Sequence, residues 1–158
     1  MTVREATPTD VERMADLADS KRRQYEPFAP VFQRPAANAH QVHLPWLARL
    51  VADPDVGTFV HEDDSGGVDG FVIITVAPAP PVYDPGGPTS LIDDFTVAQP
   101  DLWPSAGAAL LDTARRWAKE RGAAQLVAVT GPHDAPKRAL LHDAGLYVAS
   151  EWFTTPLA

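Results

Sequence analysis

Two adjacent carboxylates, Asp93 and Asp94, sit in the run Leu91–Leu111, which reads as a β-strand, a proline-broken turn and the opening of an amphipathic helix. A carboxylate there suits general-base chemistry, taking the proton of an attacking amine directly or through water. The helix opening suits phosphate, because first-turn amides have no intrahelical partner and the helix dipole adds partial positive charge. The small run Ser105-Ala106-Gly107-Ala108 lets a ligand approach the backbone, so a nucleotide-type cofactor is expected. Strand alternation gives Asp93 the parity of Phe95 and Val97, and Asp94 that of Thr96. Parity alone leaves open which carboxylate faces a cleft, and both also suit a structural role, bonding to loop amides at a strand end.

Other candidates are scattered. Tyr25 and Phe28, in Arg23-Gln24-Tyr25-Glu26-Pro27-Phe28, follow the first helix, where Tyr25 suits packing against a sheet as well as lining a pocket. His40 and His43 are three apart and could share a helix face. Without an HExxH pattern they define no metal centre, and none is expected. Tyr83 lies in a proline-rich loop and could line an acceptor site. His133 precedes Asp134 and is a candidate acid. Ser105 has no histidine at a hydrolase spacing. Trp103, before Pro104, suits either lying over a cofactor or stapling the loop to the core. Trp46, Trp117 and Trp152 are expected in the core.

The elements that must position these groups follow from periodicity and breakers. Thr2–Ala6 reads as a short strand. Thr7-Pro8-Thr9-Asp10 opens a helix on which Val11, Met14, Ala15 and Ala18 recur at helical spacing. A second helix carries Trp46, Leu47, Leu50 and Val51, with Pro45 near its start. Val56–His61 and Val68–Val76 flank Asp63-Asp64-Ser65-Gly66-Gly67 as a hairpin. Prolines at 78, 80, 81, 85 and 88 force a loop before the strand Ser90–Val97. A helix over Ser105–Arg121 buries Ala106, Ala109, Leu110, Thr113, Ala114, Trp117 and Ala118. Gln125–Thr130 is an apolar strand. Asp134 caps a short helix burying Ala139, Leu140 and Ala144, and Tyr147–Thr155 is a last strand. The fold class is α/β (α+β), a single domain over 1–158 with a mixed sheet in the order β-α-α-β-β-β-α-β-α-β.

Composition narrows the function classes. The 158 residues suffice for a full hydrophobic core, and the absence of cysteine excludes disulfides, thiolate metal sites and a cysteine nucleophile. A net charge of −8 argues against a nucleic acid partner. No apolar run suits a signal or a membrane span, so a soluble, cytoplasmic protein without a membrane partner is expected. The basic cluster Lys21-Arg22-Arg23 reads as a solvated helix end, with an anion contact as the other reading.

The element order and the run from Leu91 to Leu146 resemble the GNAT family, the GCN5-related N-acetyltransferases. Ile92-Asp93-Asp94-Phe95-Thr96-Val97 is similar to the family strand I-x-D-L-x-V. Ser105 and Gly107 stand at the two small positions of the following loop, and Asp134 through Gly145-Leu146 resembles the family helix N-x-x-A-x-x-x-Y-x-x-x-G-F. The resemblance implies acetyl-CoA as cosubstrate and a primary amine of a small molecule or peptide as acceptor. It implies that the backbone of Phe95, Thr96 and Val97 pairs with the pantetheine arm, that the Val97 amide polarises the acyl carbonyl, and that the amides of Trp103, Ser105, Ala106, Gly107 and Ala108 hold the pyrophosphate. Asp134 is then a cofactor contact, Tyr25, Phe28 and Tyr83 are acceptor-site candidates, and the strands Ser90–Val97 and Gln125–Thr130 splay around the arm. It also implies a possible homodimer through the last strands. Departures are Leu102 for Arg or Gln, Pro104 in the loop, Ser105 for Gly, Asp134 for Asn and Leu141 for the tyrosine general acid. They keep a second reading open, a GNAT-fold protein that binds an acyl-CoA, another ligand or a partner with little or no turnover.

Overall fold

A five-stranded sheet forms the centre of the computed structural model, which describes residues 1–157. The elements are β1 (Thr2–Glu5), α1 (Val11–Tyr25), α2 (Ala39–Ala52), β2 (Gly57–Glu62), β3 (Val68–Ala77), β4 (Thr89–Val97), α3 (Ala108–Glu120), β5 (Gln125–Ala128) and α4 (Ala135–Asp143). The spatial order is β1-β2-β3-β4-β5; the first four strands are antiparallel and β5 runs parallel to β4.

Each sheet face is covered by a helix pair. α1 and α2 bury Val11, Met14, Leu17 and Leu47 against Val60, Phe71 and Ile73. α3 and α4 bury Leu110, Leu111, Trp117 and Leu140 against Phe59, Val72, Ile74, Ile92 and Phe95. Burying side chains of this size contributes about 1.5–3 kcal/mol each. The start of α1 is locked by Asp10, which accepts from the Thr7 amide at 2.7 Å and from Arg4 through its two terminal guanidinium nitrogens. α3 stops at Arg121, and Gly122 turns the chain with φ +73, a left-handed conformation that suits glycine.

Several sequence expectations need correction. α2 begins at Ala39, so Pro45 lies inside the helix rather than near its start. β5 ends at Ala128 instead of Thr130. Ala139 is exposed, and the buried face of α4 is Lys137, Leu140 and Leu141. Tyr147–Thr155 forms no strand among the described residues, and Trp152 is 85% exposed instead of in the core. The segment has strand-like composition, but a strand needs a ladder partner, and among the described residues its ring contact is Trp152 edge-on to Phe32 at 6.4 Å.

Candidate active site

β4 carries a bulge at the residues of interest. Val72 faces Phe95 and Ile74 faces Ile92, so Asp93 and Asp94 together stand opposite the single residue Ile73. Alternation through the pair therefore fails, and Ile92 joins Phe95 and Val97 in the core beneath α3. Asp94 faces the α1–α2 side, where His43 Nε2 lies 3.3 Å from its Oδ2. Arg22 Nη2 donates to His43 Nδ1 at 2.8 Å. Guanidinium only donates, so Nδ1 is the acceptor and the proton sits on Nε2, directed at Asp94. The Asp93 carboxylate is exposed, lines neither of the two main cavities and forms no side-chain hydrogen bond among the described residues; partial desolvation first and the Asp94 charge second raise its pKa, with His43 working the other way.

Beyond the bulge the sheet opens. Pairing between β4 and β5 ends at Ile92 and Ala128, while β4 continues to Val97. Main-chain groups of Asp93–Val97 on that side have no strand to pair with. At the mouth of the opening is a cavity of about 170 Å³ lined by Lys21, Tyr25, Phe28, Val97, Trp103, His133, Asp134 and Pro136, among others. A larger open groove of about 850 Å³ lies elsewhere, between the N-terminus and α3, lined by His61, Ser105, Asp112, Arg115 and Arg116 among others, and touches none of the β4 carboxylates; Ser105 thus faces this groove and not the cavity at the sheet opening.

Asp134 organises the cavity wall. It caps α4 by accepting from the Lys137 amide at 3.4 Å, and its Oδ2 receives Tyr25 Oη at 2.5 Å and Lys21 Nζ at 3.1 Å. Burial acts to raise this carboxyl, but these donors outweigh it and hold the group below its usual range. Burial, then the bond to Asp134, pushes the Tyr25 phenol up. Phe28 stacks on His133 with ring centroids 4.7 Å apart. Tyr83 stands 72% exposed in the proline loop and does not line this cavity. His40 pairs with Asp16 and His43 with Asp94, so the two histidines do not converge, and no group of metal-binding residues occurs among the described residues.

The segment after β4 differs from an open phosphate loop. Residues Pro100–Leu102 form a 3₁₀ turn and Trp103–Gly107 a π-helical turn that runs directly into α3. The Trp103 amide donates to Pro100 O, and the Ala108 amide to carbonyls of Ser105 and Trp103. The Trp103 ring is buried, edge-on to Phe95 at 4.9 Å, and fills the notch over Gly107, where an added Cβ would stand 2.6 Å from Trp103 Cε3. Those two amides are thus engaged inside the helix. Lys21, whose Nζ lies 5.2 Å from the Trp103 ring, is the cation on the cavity wall.

One side chain at this site, Lys137, escaped the sequence reading, and so did the pairing of Arg22 with His43. Lys137 is buried and its Nζ donates to Phe95 O at 2.9 Å, on the main chain facing the opening. Its signal was a charge at helical spacing with Leu140 and Leu141 on one face. Arg22 and His43 come from different helices and meet only through tertiary packing, which no spacing reveals.

No family model and no curated protein matches the sequence. Solved structures do match in shape. A mutant of the BH1408 protein from Bacillus halodurans superposes with a TM-score of 0.86 at 17% identity, with all of both chains covered. A predicted acetyltransferase from Clostridium acetobutylicum, solved with acetyl-CoA, gives 0.72 at 16% identity, covering 98% of this chain and 95% of that one. An aminoglycoside 6′-N-acetyltransferase from Acinetobacter haemolyticus gives 0.72 at 11% identity over both full chains. The chain has the GNAT fold.

Proposed function

We propose that this chain is an acyl-CoA-dependent N-acyltransferase moving an acetyl group to a primary amine of a small molecule or peptide. The observation that carries this reading is the unpaired stretch of β4 after Ile92, opening beside the capped N-terminus of α4. The residues fit a pantetheine arm: an extended main chain without a β5 partner, with Phe95 O held by Lys137, runs along one wall, and the cavity at its mouth is bounded by Val97, Trp103 and Asp134. The fit is altered at the diphosphate end, where Trp103 and Ala108 amides are engaged and Lys21 supplies the charge. Ser105, Ala106 and Gly107 remain backbone candidates for the diphosphate by resemblance alone, since Ala106 and Gly107 are buried and Ser105 lines the groove beside the N-terminus rather than this cavity.

Bound acetyl-CoA would supply an activated carbonyl and a thiol leaving group. Phe95, Thr96 and Val97 bind the arm through their main chain, with the Val97 amide polarising the carbonyl. Asp93 is the proton acceptor, because its carboxyl is raised and unengaged. Asp94, held by His43, positions the bulge. Tyr25 and Phe28 form the acceptor-side wall, and Tyr83 approaches only by movement of its loop. The protein would work with the cytoplasmic acyl-CoA pool.

A second reading has its own observation. Trp103 in the notch and Lys137 on Phe95 O both occupy ground the coenzyme needs, which favours a protein that binds an acyl-CoA or another ligand without efficient turnover. Calorimetric titration with acetyl-CoA, followed by an amine panel with thiol release as readout, separates the two. Heat and thiol release support the transferase, heat alone supports the binder, and a flat titration rejects both.

A homodimer is part of the proposal. Trp152 and Phe153 are 85% and 92% exposed on an extended tail, and β5 is a sheet edge. Sedimentation at micromolar concentration should give a dimer mass; a monomer removes this element.

A further inference from the structure

We propose that Lys137 is a self-acylation site, whose Nζ takes an acyl group from a thioester lying in the β4–β5 opening and keeps it as a buried amide. This rests on the acyl-CoA reading above but concerns a residue that reading does not use.

The surroundings of Lys137 disfavour an ammonium and favour a nucleophilic amine. Its side chain is buried in the first turn of α4, where the helix dipole opposes a cation. No carboxylate comes within ion-pair distance of its Nζ among the described residues. Its contacts are Phe95 O at 2.9 Å and the faces of Phe95 and Trp103, 5.2 and 5.4 Å from the ring centroids. Burial first and the Lys21 charge second push its pKa down to about 8, against opposing pulls from Asp134 and Asp94. A neutral lysine amine in an apolar setting is an activated nucleophile.

The position suits the reaction. Phe95 O belongs to the β4 stretch that has no partner in β5, so the amine lies on the main chain along which a thioester arm would extend. Trp103 forms both the ring beside Nζ and a wall of the 170 Å³ cavity, so a shift of this one ring connects the two. In the step, the Nζ lone pair attacks the thioester carbonyl carbon. A C–N bond forms, the C–S bond breaks, and the proton lost from nitrogen goes to the departing thiolate, leaving free coenzyme thiol. The product amide keeps one N–H to donate to Phe95 O and no longer buries a charge.

The chain has three lysines, Lys21, Lys119 and Lys137, so the site is readable by mass. The full chain is incubated with acetyl-CoA at pH 8, with calorimetry in parallel, and the acetyl group is mapped by peptide mass spectrometry. Expected is one acetyl per chain, on Lys137, formed about tenfold or more faster than on exposed Lys119. The label should vanish in Lys137→Arg and Lys137→Met, and fall to the Lys119 rate when the native chain is unfolded in urea before the coenzyme is added. Binding heat with the label absent, on Lys21 or on Lys119 overturns the proposal and leaves the acyl-CoA reading standing. No heat and no label overturns both.

Discussion

Tyr25 Oη donates to Asp134 Oδ2 over 2.5 Å, tying the last residue of α1 to the N-cap of α4. The bond crosses the cavity wall, and the Gly131 amide donates back to the same phenol at 3.4 Å. Tyr25→Phe should lower stability by about 2 kcal/mol, because the lost partner is a half-buried carboxylate. The folded Asp134 carboxyl lies below its ordinary 3.8, so its contribution is complete above that value and is lost as pH falls through the folded one. Without the phenol the folded value rises, and the acid unfolding midpoint should move to higher pH. An unchanged midpoint in acid denaturation would show that Lys21 and the cap amide hold Asp134 alone.

Trp103 and Gly107 are packed so closely that one methyl group decides the geometry. Gly107→Ala puts a Cβ within 2.6 Å of Trp103 Cε3 and 3.1 Å of Leu140 Cδ2. The expected cost is about 1–3 kcal/mol of overpacking. Trp103→Ala alone should cost about 3–5 kcal/mol by leaving a cavity. The double variant should be less destabilised than the sum, since the added methyl then enters vacated space. Urea denaturation of the four proteins measures this, and strict additivity would contradict the contact.

The element order through α4 is legible in the sequence because hydrophobic period and breakers act locally: the prolines before β4, Gly122 after α3 and Asp134 ahead of α4 each punctuate an element by their own backbone chemistry. The bulge was not legible, since Asp93 and Asp94 look like ordinary alternating residues until a partner strand shows one residue opposite two. For the same reason Tyr147–Thr155 was misread: strand propensity describes a residue's fit to a ladder, and no ladder is offered to it. At the site, Tyr25 and Asp134 were both singled out, but their mutual bond joins residues 109 apart. The engagement of the Trp103 amide depends on a 3₁₀ turn continuing into a π-helical one, which composition does not encode.

His43 links Arg22 to Asp94, and the direction of its hydrogen bonds can be read by NMR. Nitrogen–proton correlation spectra of the imidazole should show the proton on Nε2 and a bare Nδ1. Arg22→Met should release that preference, while Asp94→Asn should leave Nδ1 as the acceptor. In thiol-release assays, Asp93→Asn should reduce acyl transfer by about 10²-fold or more as the proton acceptor is lost. Asp94→Asn keeps the bulge and should cost less. The reverse ranking would assign the base to Asp94.

Lys137 makes stability depend on pH in the opposite sense to a paired lysine. Its folded pKa is about 8 against an ordinary 10.5. Between those values the unfolded chain binds more protons, so stability rises with pH across the interval. Below about 8 the full cost of the buried amine is present, and above 10.5 it is gone. Lys137→Met removes that cost, which is on the order of 3 kcal/mol, but strips Phe95 O of its donor at about 1 kcal/mol. The variant should therefore be more stable than the native chain near pH 7, by about 2 kcal/mol on those two terms. The advantage should shrink as pH rises through 8 and reverse before the ordinary 10.5 is reached, once the remaining cost of the buried amine falls below that of the lost hydrogen bond. Urea melts of both proteins across this range give the difference directly. A gap that stays constant with pH would mean that Lys137 carries its proton in the folded chain as readily as in the unfolded one, and its amine would then be no better a nucleophile than that of Lys119.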